Sequence, residues 1–112
     1  NLNISSFDTK KVTNMKHMFY YAMRSPENGT LDISSFDTRS LTQAEGIFNY
    51  TKVKTIFASP NFVTTGIPTP QTFFVDNTNL QGGNGTTCVW PNIDSTFAHI
   101  DAPGNPGYFT QK

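Results

Sequence analysis

Most of the side chains that carry chemistry are scarce here. Cys88 is the single cysteine in 112 residues, so no disulfide can close within the chain. A lone thiol in a mostly polar chain reads as a small buried apolar residue, not a nucleophile. Only 14% of residues are charged, and eight acids balance eight bases. That balance argues against a nucleic-acid binder, which would carry a basic stripe. The local clusters Lys10, Lys11 and Lys16, then Lys52 and Lys54, read as a solvated face. No Lys or Arg lies between Thr55 and Gln111. No apolar run approaches the ~18 residues of a membrane span. The two histidines, His17 and His99, stand far apart, and no zinc-ligand spacing occurs. No metal site, no cofactor and no catalytic residue is therefore expected. His99-Ile100-Asp101 would need Ser95 or Cys88 brought into line to relay a proton, and is not taken as catalytic. Gly82-Gly83-Asn84-Gly85 lacks the Gly-Lys-Ser/Thr of a phosphate loop and reads as a turn. The chain opens at Asn1 with neither initiator Met nor signal peptide, so it is expected to be a piece of a longer protein.

What the chain does have is a copy of itself. Ile4-Ser5-Ser6-Phe7-Asp8-Thr9 recurs letter for letter as Ile33-Ser34-Ser35-Phe36-Asp37-Thr38. Leu2 precedes the first copy as Leu31 precedes the second, and Val12, Met15, Met18 and Phe19 answer to Leu41, Ala44, Ile47 and Phe48. A degenerate third copy places Phe62, Ile67 and Phe73-Phe74 in the same order. A repeat in the mid-twenties points to stacked units. Units are expected at about 1–30, 31–52 and 53–78, with Arg24-Ser25-Pro26-Glu27-Asn28-Gly29 as a surface loop.

Each unit opens with Leu-x-Ile-x-x-Phe, apolar at alternate positions, which predicts a short strand. The following Asp8 and Asp37 predict Asx-turns. Val12, Met15, Met18, Phe19 and Ala22 then fall at helical spacing, with Thr13 or Asn14 as N-cap. In unit two Thr42 and Glu45 suit a capping box, while Pro68 and Pro70 shorten any helix in unit three. Met15, Met18 and Met23 are core, not a metal box. Phe7, Phe36 and Phe62 should form a buried ladder. From about Asn79 the repeat stops, and 79–112 reads as a cap over the last unit, covered by Trp90, Phe97, Ile100, Tyr108 and Phe109. The fold class expected is α/β: a leucine-rich-repeat-like solenoid of about three strand–helix units, 1–78, with an irregular C-terminal cap.

Leu31-Asp32-Ile33-Ser34-Ser35-Phe36-Asp37-Thr38 and Val12-Thr13-Asn14-Met15-x-x-Met18-Phe19 resemble the repeat of a bacterial surface-protein family, the mycoplasma-type lipoprotein repeats. The resemblance extends to the cap through Leu80–Thr86 and Pro106–Thr110, and departs at Gln43-Ala44-Glu45-Gly46. It implies a leucine-rich-type solenoid outside a bacterium, often in large adhesin-like proteins, with no catalytic residues to carry over. The function expected is a non-enzymatic binding or adhesion module of an extracellular, cell-surface protein. Its partner would be a host or matrix protein or a carbohydrate, with no nucleic acid and no membrane span. The alternative is a structural spacer or capping segment that presents another domain. Tyr20, Tyr21 and Tyr50 are the candidate ligand contacts. The first strand, Leu2-Asn3-Ile4, offers an unpaired edge through which self-association is expected.

Overall fold

Strands of two to four residues cannot stand alone, and here they are held by stacking in register. The computed structural model describes residues 2–4, 6–23 and 29–112. The strands are β1 (Leu2–Asn3), β2 (Thr30–Asp32), β3 (Thr55–Ala58) and β4 (Phe109–Gln111). They form one parallel sheet in the order β1-β2-β3-β4. Leu31 lies opposite Leu2 on one side and Ile56 on the other, and Ile56 lies opposite Phe109. The fourth strand comes from the C-terminal segment, so the cap adds a layer to the sheet. The expected loop residues 24–28 lie outside the described residues.

The expected helices do not form. Among the described residues the helical structure is one 3-10 turn, Ser95–Phe97, and the strand–helix architecture is thereby overturned. The reason is where the backbone N–H groups point. Those of Met15, His17, Phe19 and Tyr21 donate sideways, to the carbonyls of Gln43, Glu45, Ile47 and Asn49 at 2.8, 3.1, 2.9 and 3.0 Å. Those of Met18, Tyr20 and Ala22 donate back three residues, to Met15, His17 and Phe19. A helix would send every one of them along its own axis. The alternation needs a left-handed residue in each short turn. His17 has φ 58° and Tyr21 φ 60°; their counterparts Gly46 and Tyr50 have φ 72° and 66°. The turns thus recur every four residues, close enough to the 3.6-residue helical period to give the same apolar pattern. The left-handed conformation costs roughly 1–2 kcal/mol at a non-glycine residue. Each hydrogen bond to the neighbouring unit returns about 0.5–1.5 kcal/mol, and burial of the apolar side chains adds to it.

The proposed caps have other duties. Asn14 Oδ1 accepts from Lys16 N, Thr42 Oγ1 donates to the Thr13 carbonyl, and Glu45 Oε2 accepts from Thr72 N at 3.0 Å. Between units two and three, side chains stand in for part of the backbone ladder. Gln71 Oε1 accepts from Ala44 N, and Asn49 Oδ1 accepts from Val75 N. The repeated Asp-Thr does form the expected Asx-turns, Asp8 and Asp37 each accepting from the N–H two residues on. Its threonine does more. The buried Thr9 hydroxyl lies between the N–H and C=O of Asp37, accepting at 2.8 Å and donating at 3.1 Å. Thr38 makes the same bracket with Val63, at 2.6 and 2.7 Å. One hydroxyl thereby satisfies two buried backbone groups of the next unit.

A column of aromatic rings fills the stack. Phe19 stacks on Phe48 at 5.9 Å, and Phe48 on Phe74 at 5.6 Å. Phe74 meets Tyr108 edge-on at 5.0 Å. The expected Phe7–Phe36–Phe62 ladder holds only in part: Phe36 and Phe62 are 1% and 3% exposed, but Phe7 is 48% exposed. Phe7 sits on the outer side of the first unit, where no described residue covers it.

The cap is tied down by two devices. Phe73 and Phe74 donate their N–H groups to the Ile93 carbonyl, and Ser95 N donates to Gln71 O, so the 3-10 turn continues the stack. The Asp101 carboxylate gathers a loop, accepting from Asn84 N, Thr86 N, Thr86 Oγ1 and Gly107 N at 2.8–3.1 Å. Gly82 must lack a side chain, because a Cβ there would lie 2.4 Å from the Gly107 carbonyl oxygen. The turn expected at Gly82–Gly85 is present, with Gly85 N donating to Gly82 O. Tyr108 and Phe109 are buried and Phe97 and Ile100 half-buried, but Trp90, expected in the cover, is 79% exposed.

Two outcomes follow from this packing. Phe48→Ala should cost about 3–5 kcal/mol in chemical denaturation, because its ring touches rings on both sides, while Phe7→Ala should cost under about 1 kcal/mol. Burial alone would raise the Asp101 pKa, but the donors from Thr86, Gly107 and Asn84 more than offset it, and the net shift is downward. A depressed carboxyl pKa stabilises the fold above the unfolded value near ~3.9, and that contribution is lost as pH falls through the folded value. Melting temperature should therefore drop below about pH 4, and Asp101→Asn should be less stable at neutral pH with a flatter acid limb.

Candidate functional site

The left-handed residues that block the helix also build the surface. Tyr21 and Tyr50 hold equivalent places in successive units, and both have positive φ. Tyr21 N donates to Asn49 O and Tyr50 N to Val75 O, so the two side chains leave the stack in the same direction. Their rings stack at 4.8 Å, 16° from parallel. Tyr20 meets both edge-on, Tyr21 at 4.9 Å and Tyr50 at 5.3 Å. His17 joins from the preceding turn, 4.8 Å from Tyr20. The sequence-derived candidates Tyr20, Tyr21 and Tyr50 thus form one patch, with Tyr20 41% and Tyr21 53% exposed. His17 was not among them, because a helix would have placed it by another rule. Asp76 continues the row of left-handed positions at φ 59°, and its carboxylate takes Lys52 Nζ at 3.3 Å.

Such a patch offers ring faces, ring edges and phenol hydroxyls. That combination binds partners with an apolar body and a polar rim, because a tyrosine buries ring area while its hydroxyl stays hydrogen-bonded. Apart from the patch, a concavity of about 510 Å3 opens on the outer side of the first unit and is lined by Phe7, Val12, Met15 and Met18 among others.

The remaining reactive groups serve the cap. Burial pushes the Cys88 thiol up to about 11, with a smaller opposing effect of Tyr108, so it stays protonated near neutral pH. Burial, then the neighbouring Cys88, raises the Tyr108 phenol to about 12. Tyr108 donates its hydroxyl to the Asn92 carbonyl. Asp101 bonds to the loop N–H groups and not to His99, whose buried Nε2 has no hydrogen-bond partner among the described residues. Asp8 and Asp37 hold their own turns, and Asp37 pairs with Arg39 at 2.6 Å. Among the described residues no group of three or more His, Cys, Asp or Glu is placed to hold a metal ion. No helix there is long and apolar enough to cross a membrane.

No curated protein and no solved structure matches the chain. A family profile described as "Mycoplasma protein of unknown function, DUF285" matches residues 1–81, the three stacked units up to the start of the cap. The repeated Phe-Asp-Thr with its bracketing hydroxyl and the alternating turn ladder lie inside that span, and the chain belongs to this Mycoplasma repeat family of unknown function.

Proposed function

We propose that the chain is a non-enzymatic binding module of a bacterial cell-surface protein, of the adhesin kind. The observation that carries this reading is the patch of His17, Tyr20, Tyr21 and Tyr50 on the outside of a rigid backbone ladder. Large aromatics left exposed at the cost of strained backbone are poor choices for stability alone. They are good choices for binding, where aromatic residues supply much of the affinity. Composition supports the same reading: Thr, Asn and Ser number 35 of 112 residues, so polarity is carried mostly by neutral, hydrogen-bonding side chains. A host or matrix protein, or a carbohydrate, fits that chemistry.

Tyr21→Gly/Tyr50→Gly tests the reading cleanly, since glycine accepts positive φ without a Cβ penalty. The double variant should melt within a few degrees of the parent, because strain relief offsets lost ring packing. Retention on surfaces coated with collagen, fibronectin or mucin should be measured for both proteins. The parent should be held on at least one coating, and the variant should bind it about tenfold more weakly or worse. Equal retention of the two, or no retention of the parent, would leave the alternative of a structural spacer that presents another domain. The continuous ladder and the capped end favour that second reading on mechanical grounds.

A further inference from the structure

The stacked rings of Tyr21 and Tyr50 are placed for a covalent reaction as well as for contact. Two phenols couple when each loses one electron and one proton and the radicals meet at ring carbons next to the hydroxyl. The new carbon–carbon bond grows from orbitals perpendicular to the rings. Near-parallel rings at stacking separation are therefore the reactive arrangement, and edge-on rings are not. Tyr21 and Tyr50 meet that condition, with centroids 4.8 Å apart and planes 16° from parallel. Tyr20 does not: its ring stands 67° from Tyr21 and 80° from Tyr50.

The backbone holds the pair in place. Tyr21 N donates at 3.0 Å to the carbonyl of Asn49, the residue before Tyr50, and Tyr50 N donates to Val75 O at 2.8 Å. Both residues have positive φ, so both side chains leave the ladder the same way. Fixed geometry of this kind raises the effective concentration of one ring at the other far above what separate molecules reach. Tyr21 is 53% exposed and open to an oxidant in solution. The next left-handed place in the row belongs to Asp76, so the row holds a single pair. Tyr108 is buried, with its hydroxyl donated to the Asn92 carbonyl, and is shielded.

We propose that Tyr21 and Tyr50 are an oxidative cross-linking site that staples the first unit to the second as dityrosine. The oxidant is hydrogen peroxide acting through a haem peroxidase. Peroxide takes one electron and one proton from each phenol and leaves as two waters. The two phenoxyl radicals couple carbon to carbon. The hydrogens on the joined carbons then move to the oxygens, which restores both phenols, and the chain has lost two hydrogens in all. The bond restricts the unfolded chain more than the folded one, where the rings are already stacked. The site needs only these two rings and does not rest on the binding reading.

The test treats the full chain, at low concentration, with a haem peroxidase and peroxide. Dityrosine fluorescence should appear, the chain should stay monomeric on a denaturing gel, and its mass should fall by two hydrogens. Oxidation of the exposed Met18 adds an oxygen instead and is told apart by mass. Proteolysis should release one cross-linked pair of peptides carrying Tyr21 and Tyr50. Tyr21→Phe and Tyr50→Phe keep the stacked ring but lack the phenol, and each should lower the yield about tenfold or more. Tyr20→Phe should keep the parent yield. The cross-linked chain should melt above the parent. The proposal is overturned if no cross-link forms, if it joins Tyr20 or arises only between chains, or if the Tyr21→Phe and Tyr50→Phe variants react like the parent. Lower melting of the cross-linked chain equally overturns it, since the joined rings would then not fit the stack.

Discussion

Everything in this structure depends on sending every second backbone N–H of the turn segments out of its own segment. Met15, His17, Phe19 and Tyr21 make that connection from the first unit to the second. With it, short strands on one side and irregular turns on the other become two parallel ladders of one stack. Without it, segments this short have too few internal bonds to persist. Backbone groups in the interior must be paired, and the ladder pairs them while leaving the side chains free to set packing and surface.

The ladder fixes the rise from unit to unit, and the side chains exploit it. Phe19, Phe48 and Phe74 arrive at ring-stacking distance because residues beside them carry the bonds between units: Phe19 N donates to Ile47 O, and Gly46 N and Tyr50 N donate to Thr72 O and Val75 O. Tyr21 and Tyr50 reach 4.8 Å on the outer surface for the same reason. One geometric rule therefore builds both the core and the candidate binding patch. The Thr9 and Thr38 brackets repeat on the opposite side of each turn. At the far end the 3-10 turn, β4 and the Asp101 knot close the stack. Asp32 links the sheet to that end as well: its carboxylate pairs with Lys112 and accepts from Ser34, and these contacts hold it at about 2 against the upward push of burial.

The repeat and its register were legible in the sequence. So were the Asx-turns at Asp8 and Asp37, the turn at Gly82–Gly85, and three of the four members of the aromatic patch. The helical spacing has another cause: left-handed residues four apart produce an apolar pattern that mimics the 3.6-residue period. Gly46 was the strongest local sign of φ > 0, with His17 and Asp76 weaker ones; Tyr21 and Tyr50 adopt it against their intrinsic preference. Trp90 lies outside the cover because hydrophobicity favours burial of a ring but supplies no neighbour to cover it.

By itself the sequence pointed to a stack: the identical hexapeptides make the same Asx-turn at Asp8 and Asp37, and alternate apolar residues face one side of a strand. It also determined which phenylalanines answer to one another, because register follows from counting. Tertiary structure alone decided that the intervening segments are turns and not helices. The choice lay between bonding each N–H within the segment and bonding alternate ones to the next unit. That second option exists only when another unit lies alongside, and no local pattern encodes its presence. The same contact between units decided that Tyr20, Tyr21 and Tyr50, 30 residues apart at their extremes, share one surface with His17.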